Sequence, residues 1–434
     1  MRFVPLLCIS VLLLFTYWLY ADSYFSTDDF NNLYWAQQQT SGEMTWHVLN
    51  PFSRSFRPTG MMFYWLLFHF FDLNAPAYHW VAWLIHAANT ALVYLILKTL
   101  TNSAGGAAVG AMLFASQSAF ADIYWSFGTI FELVCACFFF AGILLWTREQ
   151  RTWTDGFALF LLFLVAIKAK EMAITLPALW LAYEVLIRRN LNIKTLARRF
   201  ILPASVAIWY GLTKFGDMRE PNRSDLYYMD IRWITLGRGY GGYFNALFHT
   251  GLRWQYWAIG FVAVLLFLLI KKFHVAAFFQ TYVFVTFLPV IFLVNHRELY
   301  LAYIPFLGLC GLAALLTRAV ARDATVFALF PLLCWGTYLV QRNGSETARA
   351  LQKPMPAEYR AFVSGIRALP PPAPGETIFF DSRPLYFNES LLRYATQVAL
   401  RRTDIDVKLV TEPPPDARFR LHFENLRLMP IGTR

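Results

Sequence analysis

Long apolar runs recur along the chain and are broken by short clusters of basic residues; Val4 to Tyr20 and the run around Phe261 to Ile270 are examples. A helix needs about 20 mostly apolar residues to cross the hydrocarbon core of a bilayer, so these runs read as membrane spans. The pattern places spans near residues 3–21, 77–98, 105–121, 126–147, 153–168, 172–187, 200–215, 254–270, 275–294, 299–317 and 324–341. The basic clusters each close one span and precede the next: Lys98; Arg148 and Arg151; Arg188, Arg189, Lys194, Arg198 and Arg199; Lys271 and Lys272; Arg318 and Arg322. Putting all of them in the cytoplasm gives a consistent weave of about eleven spans, with the N-terminus inside and the C-terminus outside. A cleaved signal peptide is the rival reading of the first run. Its exit, Tyr17-Trp18-Leu19-Tyr20-Ala21, is bulky and lacks a small-residue cleavage site, which favours a retained span.

The weave sorts the remaining segments by side. The first outer loop runs from about Asp22 to Pro76, and in it Met61 to Phe71 is apolar and aromatic but too short to span. Trp65, Phe68 and Phe71 fall on helical spacing there, which predicts an interfacial helix. Later outer segments hold Asp122, Tyr124 and Trp125; then Lys168, Lys170 and Glu171; then Asp217, Arg219, Glu220, Arg223, Asp225, Asp230, Arg232 and Arg238; and last His296, Arg297 and Glu298. Inner loops are nearly all basic, whereas the outer mouths mix acids and bases.

From about Gln341 the character changes. Prolines and charges rise, Thr377–Phe380, Asp406–Val410 and Phe419–Phe423 pattern as short strands, and Leu391–Arg401 as a helix. The expected fold class is therefore an all-α polytopic membrane protein with a small C-terminal α/β domain. The division is a membrane domain over 1–341 and an extramembrane α/β domain over 342–434.

Composition agrees. Of 434 residues 57% are hydrophobic and 15% charged, with a mean hydropathy of +0.42. The net charge of +11 sits in short inter-span clusters rather than on one face, which points to membrane topology and away from a nucleic-acid partner. The five cysteines, Cys8, Cys135, Cys137, Cys310 and Cys334, lie in apolar runs without C-x-x-C spacing, so they read as inert buried thiols.

Candidate chemistry clusters on the outer side. Asp28-Asp29 follows the first span; two adjacent carboxylates near an interface repel, so one is expected to titrate high, as suits a general base or a metal ligand. Alone, the pair fits a solvated loop better. Arg57, in Phe56-Arg57-Pro58, suits a lipid headgroup phosphate or, through a bidentate contact, the phosphate of a specific lipid-linked substrate. Lys168-Ala169-Lys170-Glu171 puts ionisable groups beside a membrane helix, where they are either functional or snorkelling. His296-Arg297-Glu298 at another outer mouth alone fits a solvated helix end. Their shared side and order are what carry weight.

That order resembles the GT-C membrane glycosyltransferases, and within them the protein O-mannosyltransferase branch and its TMTC-like relatives. Arg57-Pro58-Thr59 with Tyr64-Trp65-Leu66 is similar to that superfamily's basic-Pro segment and aromatic helix. Asp122 followed by Glu132-Leu133, Lys170-Glu171 followed by Ile174-Thr175-Leu176-Pro177 and Tyr183-Glu184, and Arg297 with Tyr300-Leu301 and Pro305 resemble three further stretches. The resemblance spans about residues 1–320. The chain departs from it at Ser116-Gln117, where TMTC-like chains often have His-Pro, in lacking a tetratricopeptide array, and in an Asp-Asp pair where the mannosyltransferase branch often has Asp-Glu.

The resemblance implies inverting transfer of a hexose or pentose from a polyprenyl-phosphate donor to a lipid, glycan or protein acceptor on the extracytoplasmic face. Asp28 would be the base and Asp29 or Asp122 would orient it or the acceptor. Arg57, Lys170 and Arg297, with His296 as a secondary candidate, would hold the departing phosphate; Glu171, Glu132 and Tyr300 would support them. No cofactor is expected, with a divalent cation on Asp28, Asp29 and Asp122 left open. Partners are the donor, the acceptor and membrane lipid. A bacterial inner membrane is favoured by the absence of a C-terminal retrieval signal; sequons at Asn222, Asn343 and Asn388 would matter only in a eukaryote. The competing readings are a lipid or glycan transporter or flippase and a non-catalytic membrane scaffold.

Overall fold

In a computed structural model of the protein, residues 4–19, 23–117, 120, 122–148, 152–217, 224–270, 272–352 and 354–431 are described. Helix α1 (Val4–Leu19) leads into three helices that stand outside the expected spans: α2 (Thr27–Gln37), α3 (Ser41–Leu49) and α4 (Pro58–Phe71). The bundle continues with α5 (Ala75–Thr101), α6 (Ala104–Ala115), the single turn α7 (Asp122–Trp125), α8 (Ile130–Trp146), α9 (Trp153–Ala169), α10 (Leu176–Leu186) and α11 (Ile193–Asp217). Then come α12 (Trp233–Phe248), α13 (Trp254–Ile270), α14 (His274–Ile291), α15 (Tyr303–Val320) and α16 (Asp323–Gln352). Every expected span coincides with a helix, and among the described residues five helical stretches are long and apolar enough to cross a membrane: Ala75–Thr101, Phe127–Trp146, His274–Ile291, Leu299–Val320 and Asp323–Val340. The chain is an integral membrane protein, all-α through its bundle.

Some expectations change. The span placed at 105–121 is a helix of only 12 residues ending at Ala115. The segment 216–253 is not an open loop, because α12 fills much of it, burying Tyr240, Tyr243 and Phe244 while Trp233 faces out; Arg219, Glu220, Asn222 and Arg223 lie outside the described residues. The interfacial helix exists as α4, but Trp65, Phe68 and Phe71 do not share one environment. Phe68 is buried and Phe71 exposed, and the packed face is instead Met61, Tyr64, Leu67 and Phe68. Against α2, α3, α8 and α9 there is more to pack on than a lone amphipathic stripe anticipates.

Close packing explains how a short α6 is held. Gly106 and Gly110 stand four apart, the spacing that lets helices approach closely. A Cβ at Gly106 would sit 2.4 Å from the carbonyl oxygen of Ala314 on α15, and one at Gly110 2.8 Å from that of Cys310. Asp323, from α16, closes the α6 N-terminus by accepting from Ser103 Oγ (2.8 Å), Gly105 N (3.0 Å) and Ala104 N (3.2 Å). A carboxylate there also meets the positive end of the helix dipole.

The C-terminal unit carries the expected strands β1 (Thr377–Phe380), β2 (Asp406–Leu409) and β3 (Phe419–Glu424), plus an unforeseen β4 (Arg427–Pro430). The order is β2-β1-β3-β4, with β1 parallel to both neighbours and β4 antiparallel to β3. Helices α17 (Pro354–Arg367), also unforeseen, and α18 (Glu389–Leu400) pack on it. The unit sits on α2: Tyr34 stacks on Tyr394 at 4.3 Å, and Phe30 meets Tyr359 and Phe387. Tyr359 and Thr27 share a 2.9 Å hydroxyl hydrogen bond. Arg367 and Arg401 both donate to Asp72 at the end of α4. Gly106→Val is expected to force α6 off α15, costing about 1–3 kcal/mol by overpacking and lowering the unfolding midpoint in detergent. Gly260→Ala on α13, where a Cβ meets nothing within 4 Å, leaves that midpoint unchanged or slightly raised.

Candidate active site

Both acidic residues lie in the first turn of α2, and their neighbours make them unlike. Asp29 is 0% exposed. It accepts from Ser26 N (2.6 Å), Ser26 Oγ (2.8 Å) and Tyr64 Oη (2.6 Å), closing the helix N-terminus as the third residue of a capping box. Burial pushes its carboxyl up to about 6, although the Ser26 and Tyr64 bonds pull it down. Asp28 is exposed. The expectation that one member of the pair titrates high is met, and the member is Asp29.

A second constellation forms where α4, the α9–α10 turn and the segment before α15 converge. Arg57 donates from Nε and Nη2 to the Glu171 carboxylate (2.8–3.2 Å). Arg57 Nη1 has no protein partner among the described residues. Its backbone is left-handed, φ 40° and ψ 54°, directly before Pro58, a conformation that costs an L residue roughly 1–2 kcal/mol. Burial alone raises the Glu171 carboxyl, but Arg57 and Lys170 outweigh it and hold the group at about 2. Lys170 donates to Glu132 on α8, both partners being buried, and lies over the Tyr300 ring at 5.6 Å. Tyr300 Oη and His296 Nε2 are 3.3 Å apart. Lys168, the other lysine of that turn, is buried in α9 and donates to the Ser53 carbonyl, anchoring the loop that carries Arg57.

Of these groups Arg57, Lys170, Glu171 and His296 border a cavity of about 350 Å³, whose lining also includes Lys214, Asp225 and Tyr227. Burial lowers the His296 imidazole from its ordinary value. The last three residues were not singled out as site groups from sequence. Lys214 projects from the end of α11, lies 5.8 Å over the Tyr210 ring and has no carboxylate partner among the described residues. Tyr227 is the electrostatic link: burial raises its phenol most, and the charges of Arg57, Glu171, Asp28 and Glu132 all act on it. Asp28 itself does not line the cavity. Asp225 is one of many loop charges, Lys214 stands at a helix end, and Tyr227 carries no motif.

Other expected members stand apart. Asp122 accepts from Trp125 Nε1 (2.8 Å), is pushed up by burial and does not line the cavity. Arg297 is exposed, donates from Nε to Leu293 O (3.4 Å) and does not line it either. No group of three or more His, Cys, Asp or Glu side chains placed to hold a metal forms among the described residues, so Asp28, Asp29 and Asp122 are not gathered into a cation site.

An integral membrane bundle with a small α/β unit over α2 is a fold already seen in a solved structure. It is similar to ArnT from Cupriavidus metallidurans, in the crystal structure bound to undecaprenyl phosphate (TM-score 0.56, 14% identity, 92% of this chain and 85% of that one). The apo structure of the same protein gives a TM-score of 0.57 at 14% identity, over 92% and 84% of the two chains. No family model matches the sequence, and no curated protein does.

Breaking one member of a buried ion pair strands the other. Lys170→Met is expected to cost about 3–5 kcal/mol, and Lys170→Met with Glu132→Leu to recover most of it, read by unfolding in detergent. Asp29 gives a pH signature. Its carboxyl is raised from 3.8 to about 6, so the folded state binds the extra proton in that window and its contribution is complete below pH 4. As pH climbs from 4 through 6, wild type should lose stability relative to Asp29→Asn by an amount on the order of 3 kcal/mol. Parallel unfolding curves for the two proteins across pH 4–7 would contradict this.

Proposed function

We propose that the protein is a glycosyltransferase that moves a sugar from a polyprenyl-phosphate donor to an acceptor hydroxyl, with inversion, on the extracytoplasmic face of the membrane. One observation carries it: a cavity holds two cations with donors to spare, Arg57 and Lys214, and the exposed carboxylate of Asp28 opens α2, which packs on the helix that begins directly after Arg57. The GT-C fold, shared with a protein crystallised on undecaprenyl phosphate, supports the donor class.

The chemistry follows from the geometry. Asp28 takes the acceptor proton as the hydroxyl attacks the anomeric carbon. The sugar–oxygen bond to phosphate breaks and the electron pair leaves on the phosphate. Lys214 and the spare Nη1 of Arg57 stabilise that charge, a preorganised electrostatic role that is strong where water is excluded. Lys170 is committed to Glu132 and adds field rather than a direct contact. Asp29 is sealed from the acceptor; it holds the first turn of α2 and thereby the direction of Asp28. Arg297 and Asp122 lie outside the cavity and touch neither phosphate nor acceptor in this reading. Within the GT-C fold, the motif order fits the protein O-mannosyltransferase and TMTC-like branch. In this reading the division falls near 341/342 inside α16, and the C-terminal domain is periplasmic in a bacterial inner membrane.

Mass spectrometry of cell-envelope glycans with and without the protein identifies the sugar that disappears. Asp28→Asn, present in the membrane at wild-type level, should restore that sugar about 10²–10⁴-fold more slowly than wild type. Wild-type transfer by Asp28→Asn removes the mechanism. Transport of a lipid-linked sugar across liposomes with no covalent product would replace transfer with a flippase.

A further inference from the structure

A second cavity, of about 370 Å³, opens between α2, α3 and the start of α4. Phe56 lines both cavities, so its ring separates them and Arg57 follows immediately on the cationic side. The two are chemically opposite. Charged groups crowd the first, whereas Asn31, Asn32, Trp35, Gln39 and Ser55 line the second together with Met44 and Met61, without a single ionisable side chain. Asp28, Asn31, Asn32 and Trp35 recur at three, four and seven residues, which puts them on one face of α2.

Asn32 is buried and already bonds Tyr64, but two other polar groups here are available. Asn31 Oδ1 accepts from Trp35 Nε1 (3.1 Å), which turns the indole and leaves the Asn31 Nδ2 donors free. Gln39 bonds through its backbone, donating from N to Ala36 O (3.2 Å) and accepting at O from Trp65 Nε1 (3.0 Å), so its side-chain amide keeps donor and acceptor. Trp35 is 49% exposed beside them. Amides that both donate and accept match hydroxyl groups, and a flat indole matches an apolar C–H face. A pyranose ring carries both. The volume lies at the small end of the roughly 300–1,000 Å³ usual for small-molecule sites.

We propose that this cavity is the acceptor subsite and that it takes an uncharged sugar ring, so that the acceptor is a glycan or glycolipid rather than a polypeptide. This rests on the transferase reading above. The division of labour follows from inversion: the acceptor hydroxyl must approach the anomeric carbon from the side opposite the leaving phosphate. Phosphate and acceptor then need separate cavities, with the base at their junction. The cation-rich cavity suits the phosphate. The neutral one, one turn along α2 from Asp28, suits the acceptor.

Binding tests it without turnover. The full-length protein in detergent is examined by saturation-transfer NMR with methyl α-mannopyranoside and a methyl arabinopyranoside as probes, methoxycyclohexane as the apolar control and a serine-rich peptide as competitor. Saturable glycoside binding is expected, weakened about tenfold in Trp35→Ala and recovered in Trp35→Phe, with Asn31→Ala weakening it independently. Equal binding of methoxycyclohexane, displacement by the peptide, or binding indifferent to both Trp35→Ala and Asn31→Ala overturns the subsite. Because the titration involves no transfer, the two readings fail separately. Glycoside binding alongside wild-type transfer by Asp28→Asn removes the base and keeps the subsite. Absent glycoside binding with transfer lost in Asp28→Asn removes the subsite and keeps the base.

Discussion

Buried charge is the constraint on which the site depends. Arg57, Glu171, Lys170 and Glu132 come from three separate stretches of chain; Arg57, Lys170 and Glu132 are buried and Glu171 is half-buried beside them. An isolated ion there is far too costly, so each must meet its partner for the bundle to close. The pairing joins α4 and α8 to the α9–α10 turn. It also offsets the left-handed backbone at Arg57, which the Pro58 helix start and the aromatic wall of Phe56 and Phe131 help to hold. Strain at a residue aimed into a cavity, over-determined by its surroundings, is the pattern expected where preorganisation matters.

A second layer of order acts through α2. Its buried face is covered by the C-terminal unit, through Phe30, Tyr34 and Thr27, while Asp72 ties the end of α4 to Arg367 and Arg401. The exposed ion pairs add little energy individually. The aromatic packing supplies the hold, and the ion pairs set its direction. The helix that carries Asp28 and the helix that begins after Arg57 are thus gripped by the same small domain, which links the domain to the site by contact.

Local physics was legible along the chain wherever one short segment determined the outcome. Long apolar runs bounded by basic clusters located the membrane helices, β-branched and aromatic alternation located three of four strands, and Asp28-Asp29, Arg57, Lys170, Glu171 and His296 stood out by residue type and order. The strand β4 escaped because it is only four residues long, and α17 because it opens on Pro354 and Pro356, although Tyr359, Phe362, Val363 and Ile366 line its buried face. The α4 stripe of Trp65, Phe68 and Phe71 misled because periodicity shows that a helix has faces, but not how many neighbours will cover them.

What the sequence determined by itself was the membrane-spanning class, the small α/β appendage and a pool of charged candidates, because burial of apolar runs and helix periodicity are properties of contiguous residues. Only the tertiary structure decided which candidates act together. It sealed Asp29 under Tyr64 and left Asp28 open, joined Arg57 to Glu171 across 114 positions and Lys170 to Glu132 across 38, left Asp122 and Arg297 outside the cavity, and brought in Lys214 and Tyr227. Pairing of buried charges is a long-range requirement. It is satisfied by whichever partner the packed helices deliver, and one-dimensional spacing does not encode that partner.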